Sequence, residues 1–167
     1  MLEEGGSATD KEDDQPDPER ISPPEGKETL FSGRVVVVSS GDALTVLRDG
    51  NVIDLLLHGV DCPEPGQPFH DEARAFATRL CFDRTVNVRP VRTDPRGRTV
   101  AIVYLEDRRE LNYELLKAGL AWYHRRFAVD DMYDAAERHA RRAGRGLWGQ
   151  PDPTPPWKYR RRGPPFR

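Results

Sequence analysis

From Phe31 onward the chain carries short β-branched runs, and the pattern predicts strands over 35–38, 44–47 and 52–57. Between the second and third runs lies Arg48-Asp49-Gly50-Asn51, where Asp-Gly supplies the positive φ angles of a tight hairpin. Pro63-Glu64-Pro65-Gly66-Gln67-Pro68 is a loop by composition. After it, residues 69–82 place Ala73, Phe76, Ala77 and Leu80 at helical spacing. Strand alternation returns over 85–91 and 100–105, joined by the polar turn Thr93-Asp94-Pro95-Arg96-Gly97-Arg98. Asn112 reads as the N-cap of a helix carrying Leu115, Leu116 and Ala118 and ended by Gly119. A third helix is expected over 130–143, with Met132, Ala135, Ala136, His139, Ala140 and Ala143 as its apolar stripe. Three strands, a helix, two strands and two helices give an α+β fold: a five-stranded, oligonucleotide-binding-type β-barrel with three packed helices.

The two ends behave differently from this body. Residues 1–30 carry ten acidic and three basic side chains and almost no large apolar residue, so burial cannot offset the entropy of ordering them, and a disordered acidic tail is expected. Residues 150–167 are Pro-rich and then basic, with Lys158-Tyr159-Arg160-Arg161-Arg162, and read as extended chain with a cationic end. The globular domain is therefore expected over 31–149. Removing the acidic tail leaves 23 basic and 18 acidic side chains, a balance that suits a polyanion ligand and equally an ordinary soluble surface.

Cys62 and Cys81 are the only cysteines. No Cys/His ligand spacing supports zinc, and the predicted helix between them holds them too far apart for a disulfide, so two free thiols are expected. No apolar stretch is long enough to span a membrane, and the first residues lack a basic-then-apolar signal pattern. An acidic linker that starts abruptly is also what signal removal leaves, so the compartment stays open between exported and cytoplasmic. A monomer is expected.

Asp42, Asp61, Glu64 and Arg98 stand out because each lies at a strand end or loop beside Gly or Pro, where a barrel displays functional groups. Two carboxylates and a backbone carbonyl make a hard oxygen site suited to calcium. The same aspartates also suit plain turn positions. The order of several motifs changes that balance. Ser-Gly-Asp42-Ala-Leu, Leu-Leu-Leu-His-Gly-Val-Asp61-Cys-Pro-Glu64, Asp94-Pro-Arg-Gly-Arg98, Leu-Asn-Tyr-Glu-Leu-Leu-Lys-Ala-Gly-Leu-Ala and Arg-Gly-Leu-Trp148 together resemble the staphylococcal nuclease (thermonuclease) family across 31–148. The Pro-Pro-Trp157 segment resembles bacterial members of that group.

The resemblance implies calcium-dependent cleavage of DNA and RNA phosphodiesters. It places Asp42, Asp61 and the Cys62 carbonyl on the calcium ligands, Glu64 on the carboxylate that orients or deprotonates water, and Arg98 on the arginine near the leaving oxygen. Ser40 and Ala43 depart from the family's Asp-Gly-Asp-Thr motif at supporting positions. Leu56 stands where the family has a phosphate-clamping arginine, a role worth about 10³ to 10⁵ in rate in related chemistry. By strand alternation His58 and Asp54 should share the face of Leu56, which would let His58 donate one hydrogen bond in its place.

Trp122-Tyr123-His124-Arg125-Arg126-Phe127 interleaves aromatics with cations, and Tyr123, Arg125 and Arg126 are candidates for stacking bases and neutralising phosphates. Trp122 is expected to cap the core and Trp148 to anchor the third helix. The expected activity is that of an endonuclease on single-stranded or locally melted DNA or RNA, weakened by Leu56. The alternatives are a nucleic-acid-binding module with impaired turnover and a protein-interaction domain using the tails.

Overall fold

The computed structural model describes residues 29–163. Most of the expected acidic tail, residues 1–28, lies outside them. β1 (Phe31–Ser40), β2 (Ala43–Arg48) and β3 (Asn51–Leu57) form an antiparallel meander. Arg48 pairs with Asn51 across a turn in which Asp49 and Gly50 have φ of 49° and 79°. The Asp-Gly hairpin is therefore as the sequence predicts. β5 (Thr85–Thr93) and β6 (Thr99–Tyr104) pair antiparallel, β6 runs parallel to β3, and β5 pairs with β1. The result is a closed barrel in the order β1-β2-β3-β6-β5.

Alternation along each strand decides what fills this barrel. Val35, Leu44, Val46, Leu55, Leu57, Val86, Val88 and Val103 point inward and are buried. Each such aliphatic side chain contributes about 1.5–3 kcal/mol of burial. The parallel β3–β6 contact is only three residue pairs long. Asn112 strengthens it: its Oδ1 accepts from the Val103 N–H at 3.1 Å, and its Nδ2 donates to the carbonyls of His58 and Ala101 at 2.9 and 3.2 Å.

That use of Asn112 corrects its expected role as an N-cap. The helix α2 is Leu111–Lys117, Glu110 holds the cap position, and Asn112 is fully buried, stitching strands together. Gly119, with φ of 72°, follows α2 as predicted. Helix α1 (His70–Cys81) buries Ala73 and Ala77, and both cysteines are free thiols, as expected. Helix α3 (Asp131–Arg142) starts at an Asp130 cap whose side chain accepts from the N–H groups of Met132 and Tyr133. Its buried face is Tyr133, Ala136, Glu137 and Ala140, whereas Met132 is 67% exposed. The stripe expected from apolar residues alone is thus rotated, because Arg141 donates to Glu137 Oε1 at 2.6 Å and the Arg125 guanidinium pairs with Oε2 at 3.3 Å, offsetting the buried charge.

Three more elements, two short strands and a helix, correct the expectation of three helices and an extended tail. Val60–Asp61 (β4) and Trp122–Tyr123 (β7) form a short antiparallel pair outside the barrel. The Pro-rich tail is helical over Pro156–Arg162 (α4), not extended. Proline at the first helical positions lacks only a hydrogen bond that no helix start makes. Trp157 then docks α4 against the Trp122 ring at 5.7 Å and the His124 ring at 4.8 Å. Trp148 meets Trp122 edge to face at 4.5 Å, with the Arg141 guanidinium 3.9 Å from its ring centre, so the aromatic anchor forms as predicted.

Candidate active site: an acidic cleft crossed by an arginine

A cleft of about 540 Å³ opens at the end of the barrel where β1 turns into β2 and β3 runs into β4. Gly41 makes the first turn possible. A Cβ there would lie 2.7 Å from Cys62 Sγ and 3.0 Å from Ala73 Cβ, so only glycine lets the turn rest against β4 and α1. Asp42 follows, 8% exposed. Its Oδ1 accepts from Ser40 Oγ at 2.7 Å and its Oδ2 from the Cys62 N–H at 2.8 Å. Ser40, a departure from the family motif, therefore still steadies this carboxylate. Burial pushes the Asp42 carboxyl up to about 6, opposed by the Cys62 hydrogen bond and assisted by the neighbouring Asp61 charge.

Asp61 reaches the same cleft from β4, and Glu64 from the loop after it. That loop is pinned twice. The Glu64 N–H donates to Gln67 Oε1 at 2.9 Å, and Gln67 Nε2 donates to the Thr154 carbonyl at 2.9 Å. The opposite wall is the β5–β6 turn. There Asp94 accepts from the N–H groups of Arg96 and Arg98, each at 2.9 Å, and from Arg98 Nε at 2.7 Å. Arg98 thus lines the cleft with its Nε held by Asp94, and its terminal nitrogens have no partner among the described residues.

Leu56 lines the cleft, and its neighbours Leu55 and Leu57 point into the barrel. The register expected from the sequence holds for Leu56 itself. Its flanking residues are a correction. β3 ends at Leu57, Gly59 turns with φ of 73°, and His58 lines a separate hollow with Arg89 and Tyr133. Burial, with the Arg92 and Arg89 charges, lowers the His58 pKa, which disfavours a protonated donor. Asp54 is exposed and accepts from Thr45 Oγ1 at 2.7 Å, away from the cleft.

The aromatic-cationic segment divides. Tyr123 is 4% exposed, and its hydroxyl donates to the Ala128 carbonyl and accepts from the Asp130 N–H, both at 2.8 Å, so its ring has no open face for a base. Arg125 is committed to Asp134 and Glu137. Arg126 remains exposed, with its guanidinium 5.8 Å from the Phe127 ring centre. Phe127, which with Arg92 borders the main cleft, is the ring that a ligand can reach.

The sequence gives Arg92 no role in the site and marks Arg160 only as part of a basic end. Arg160, on α4, crosses the cleft mouth: Nη1 and Nη2 donate to the two Asp61 oxygens at 3.1 and 2.8 Å, and Nη1 donates to Glu64 Oε1 at 2.5 Å. These carboxylates raise its pKa further. The available signal was a Pro-Pro helix start with Trp157 and Arg160 three positions apart, on one face.

Among the described residues no three His, Cys, Asp or Glu side chains form a metal cluster. The donor chemistry nevertheless fits a hard cation: the Asp61 charge is close enough to raise the Asp42 pKa, and a guanidinium is already drawn to Asp61 and Glu64.

Residues 54–150 match the family model described as staphylococcal nuclease homologue. An uncharacterized endonuclease of Haemophilus influenzae is 34% identical over 129 residues, covering 77% of this chain and 72% of the relative. A counterpart from Escherichia coli O157:H7, also named an uncharacterized endonuclease, is 32% identical over 130 residues, covering 78% and 85%. The micrococcal nuclease of Shigella flexneri is 33% identical over 141 residues, covering 78% and 81%. With the barrel, the ordered motifs and these matches in agreement, the chain belongs to the staphylococcal nuclease family.

Proposed function

We propose that this protein is a calcium-dependent nuclease that hydrolyses phosphodiester bonds in single-stranded or locally melted DNA and RNA. The observation that carries the reading is convergence: Asp42, Asp61, Glu64 and Arg98, from three separate turns, all line one open cleft. Structural turn residues have no reason to share a cavity. The cleft is also reachable by a polymer, unlike an enclosed small-molecule pocket.

Each side chain has a role its surroundings support. Asp42 and Asp61 would hold calcium, with the Cys62 carbonyl added on the family resemblance alone, and the ion when bound would neutralise charge on the phosphate. Asp42 is fixed by two hydrogen bonds and needs no reorganisation to serve. Glu64, partly exposed on its pinned loop, is positioned to take the proton of an attacking water. Arg98 presents its terminal nitrogens to the developing charge while Asp94 holds its Nε. Arg92 adds a further cation to the same wall, which favours an anionic substrate.

The test is incubation of heat-denatured DNA with the protein in calcium, against an EDTA control and a Glu64→Gln control. Cutting in calcium alone is the expected result, falling by about 10²–10⁴-fold in Glu64→Gln, the usual worth of a general base. Retained, salt-sensitive binding without any cutting would instead identify a binding module.

A further inference from the structure

We propose that Arg160 is a phosphate-contacting residue of the cleft, carried into the site by the C-terminal helix; this rests on the nuclease reading above. β3 contributes only the apolar Leu56 and Leu57 to its wall, so that wall supplies no charge to a phosphate. Three carboxylates face the same space from β4, its following loop and the β1–β2 turn. A guanidinium held against two of them offsets a repulsion that would otherwise oppose any anionic substrate.

The geometry of that guanidinium leaves donors free for a phosphate. Arginine has five N–H donors in a rigid fork. Asp61 accepts from the end-on edge through both terminal nitrogens, and Glu64 accepts from the remaining Nη1 hydrogen. That leaves the side-on edge, Nε–H with the second Nη2 hydrogen, without a partner among the described residues. This edge presents two parallel donors, the arrangement that grips a phosphate. Asp61 and Glu64 therefore hold Arg160 at the cleft mouth until calcium takes Asp61, and its phosphate-binding edge stays open throughout.

The helix is built to deliver that one side chain. Trp157 docks on Trp122 and His124, Pro156 is buried, and Thr154 accepts from Gln67 on the Glu64 loop. Arg160 lies one helical turn beyond Trp157 and shares its face. Arg161, by contrast, lines a different hollow beside Trp157.

The experiment compares wild type, Arg160→Ala, Arg160→Lys and Arg160→Ala with Leu56→Arg, using a short single-stranded oligonucleotide in saturating calcium. Arg160→Gln replaces the alanine variant if thermal unfolding shows a folding defect. The expected result is a loss of kcat/KM of about 10²–10³-fold in Arg160→Ala, as for other single donors to transition-state charge. Lysine restores little because its ammonium lacks the fork. Leu56→Arg restores a measurable part by placing a guanidinium on the other wall, and Arg162→Ala, on the same helix but outside the cleft, changes nothing. Unchanged kcat/KM in Arg160→Ala overturns the proposal, and so does an increase, which would make Arg160 a plug. If wild type does not cut, the nuclease reading fails by itself. Calcium-dependent binding of the same oligonucleotide then decides about Arg160: weakening in Arg160→Ala supports the contact, and equal affinity overturns it.

Discussion

The two sides of the cleft are held by different means. Asp42 follows the β1–β2 turn, tied by hydrogen bonds to Ser40 and Cys62, and Asp61 is held through the backbone pairing of β4 with β7, both backed by the buried core. Arg160 sits on a seven-residue helix that touches the body through Trp157, Pro156 and a few hydrogen bonds. Asp42 and Asp61 are thus held as firmly as the barrel, while Arg160 is held only as firmly as a docked tail. A local opening of α4 would remove Arg160 and leave the carboxylates in place.

That difference is open to direct perturbation. The largest effect is expected from Asn112→Ala, which leaves the Val103 N–H and the carbonyls of His58 and Ala101 without their buried partner. Thermal or denaturant unfolding should show a loss of about 1–3 kcal/mol. Trp157→Ala should cost less, about 0.5–1.5 kcal/mol for its ring contacts, while reducing cleavage through Arg160. Equal losses of stability would erase the distinction between barrel and tail.

Between these lies a pH effect centred on Asp42. Its pKa is about 6 in the folded protein against an ordinary value of 3.8, so the folded state binds the proton more tightly. Any stability linked to this proton is greatest below about pH 4 and is lost as pH rises through about 6. Calcium requires the ionised form, so its apparent affinity should fall about tenfold from pH 7 to pH 5 through this group. A pH-independent calcium midpoint over that range would remove Asp42 from the account.

The barrel was legible in the sequence because its signals are local. β-branched runs at period two, an Asp-Gly turn and Gly119 after a helix each act over a few residues. Asn112 misled because asparagine suits helix caps, whereas here three backbone groups from two strands claim its amide. The face of α3 misled because Glu137 counts as polar in any pattern, although Arg125 and Arg141 make its burial tolerable. Tyr123 read as a ligand residue because aromatics beside arginines suit nucleic acid, yet β7 turns its ring inward. Arg160 was invisible for a physical reason: a short basic segment has no intrinsic drive to fold, and only the docking of Trp157 onto Trp122 and His124 makes it a helix.

Calcium bound at the barrel side of the cleft is the feature on which the proposed cleavage depends. Single-turnover cutting of a single-stranded oligonucleotide, followed as calcium is titrated at pH 7, measures this in wild type and Asp42→Asn. The calcium midpoint is expected to rise by at least about 10- to 100-fold in the variant, since losing even an outer partner of a metal ligand has that effect. An unchanged midpoint, or cutting that needs no divalent cation, would contradict it.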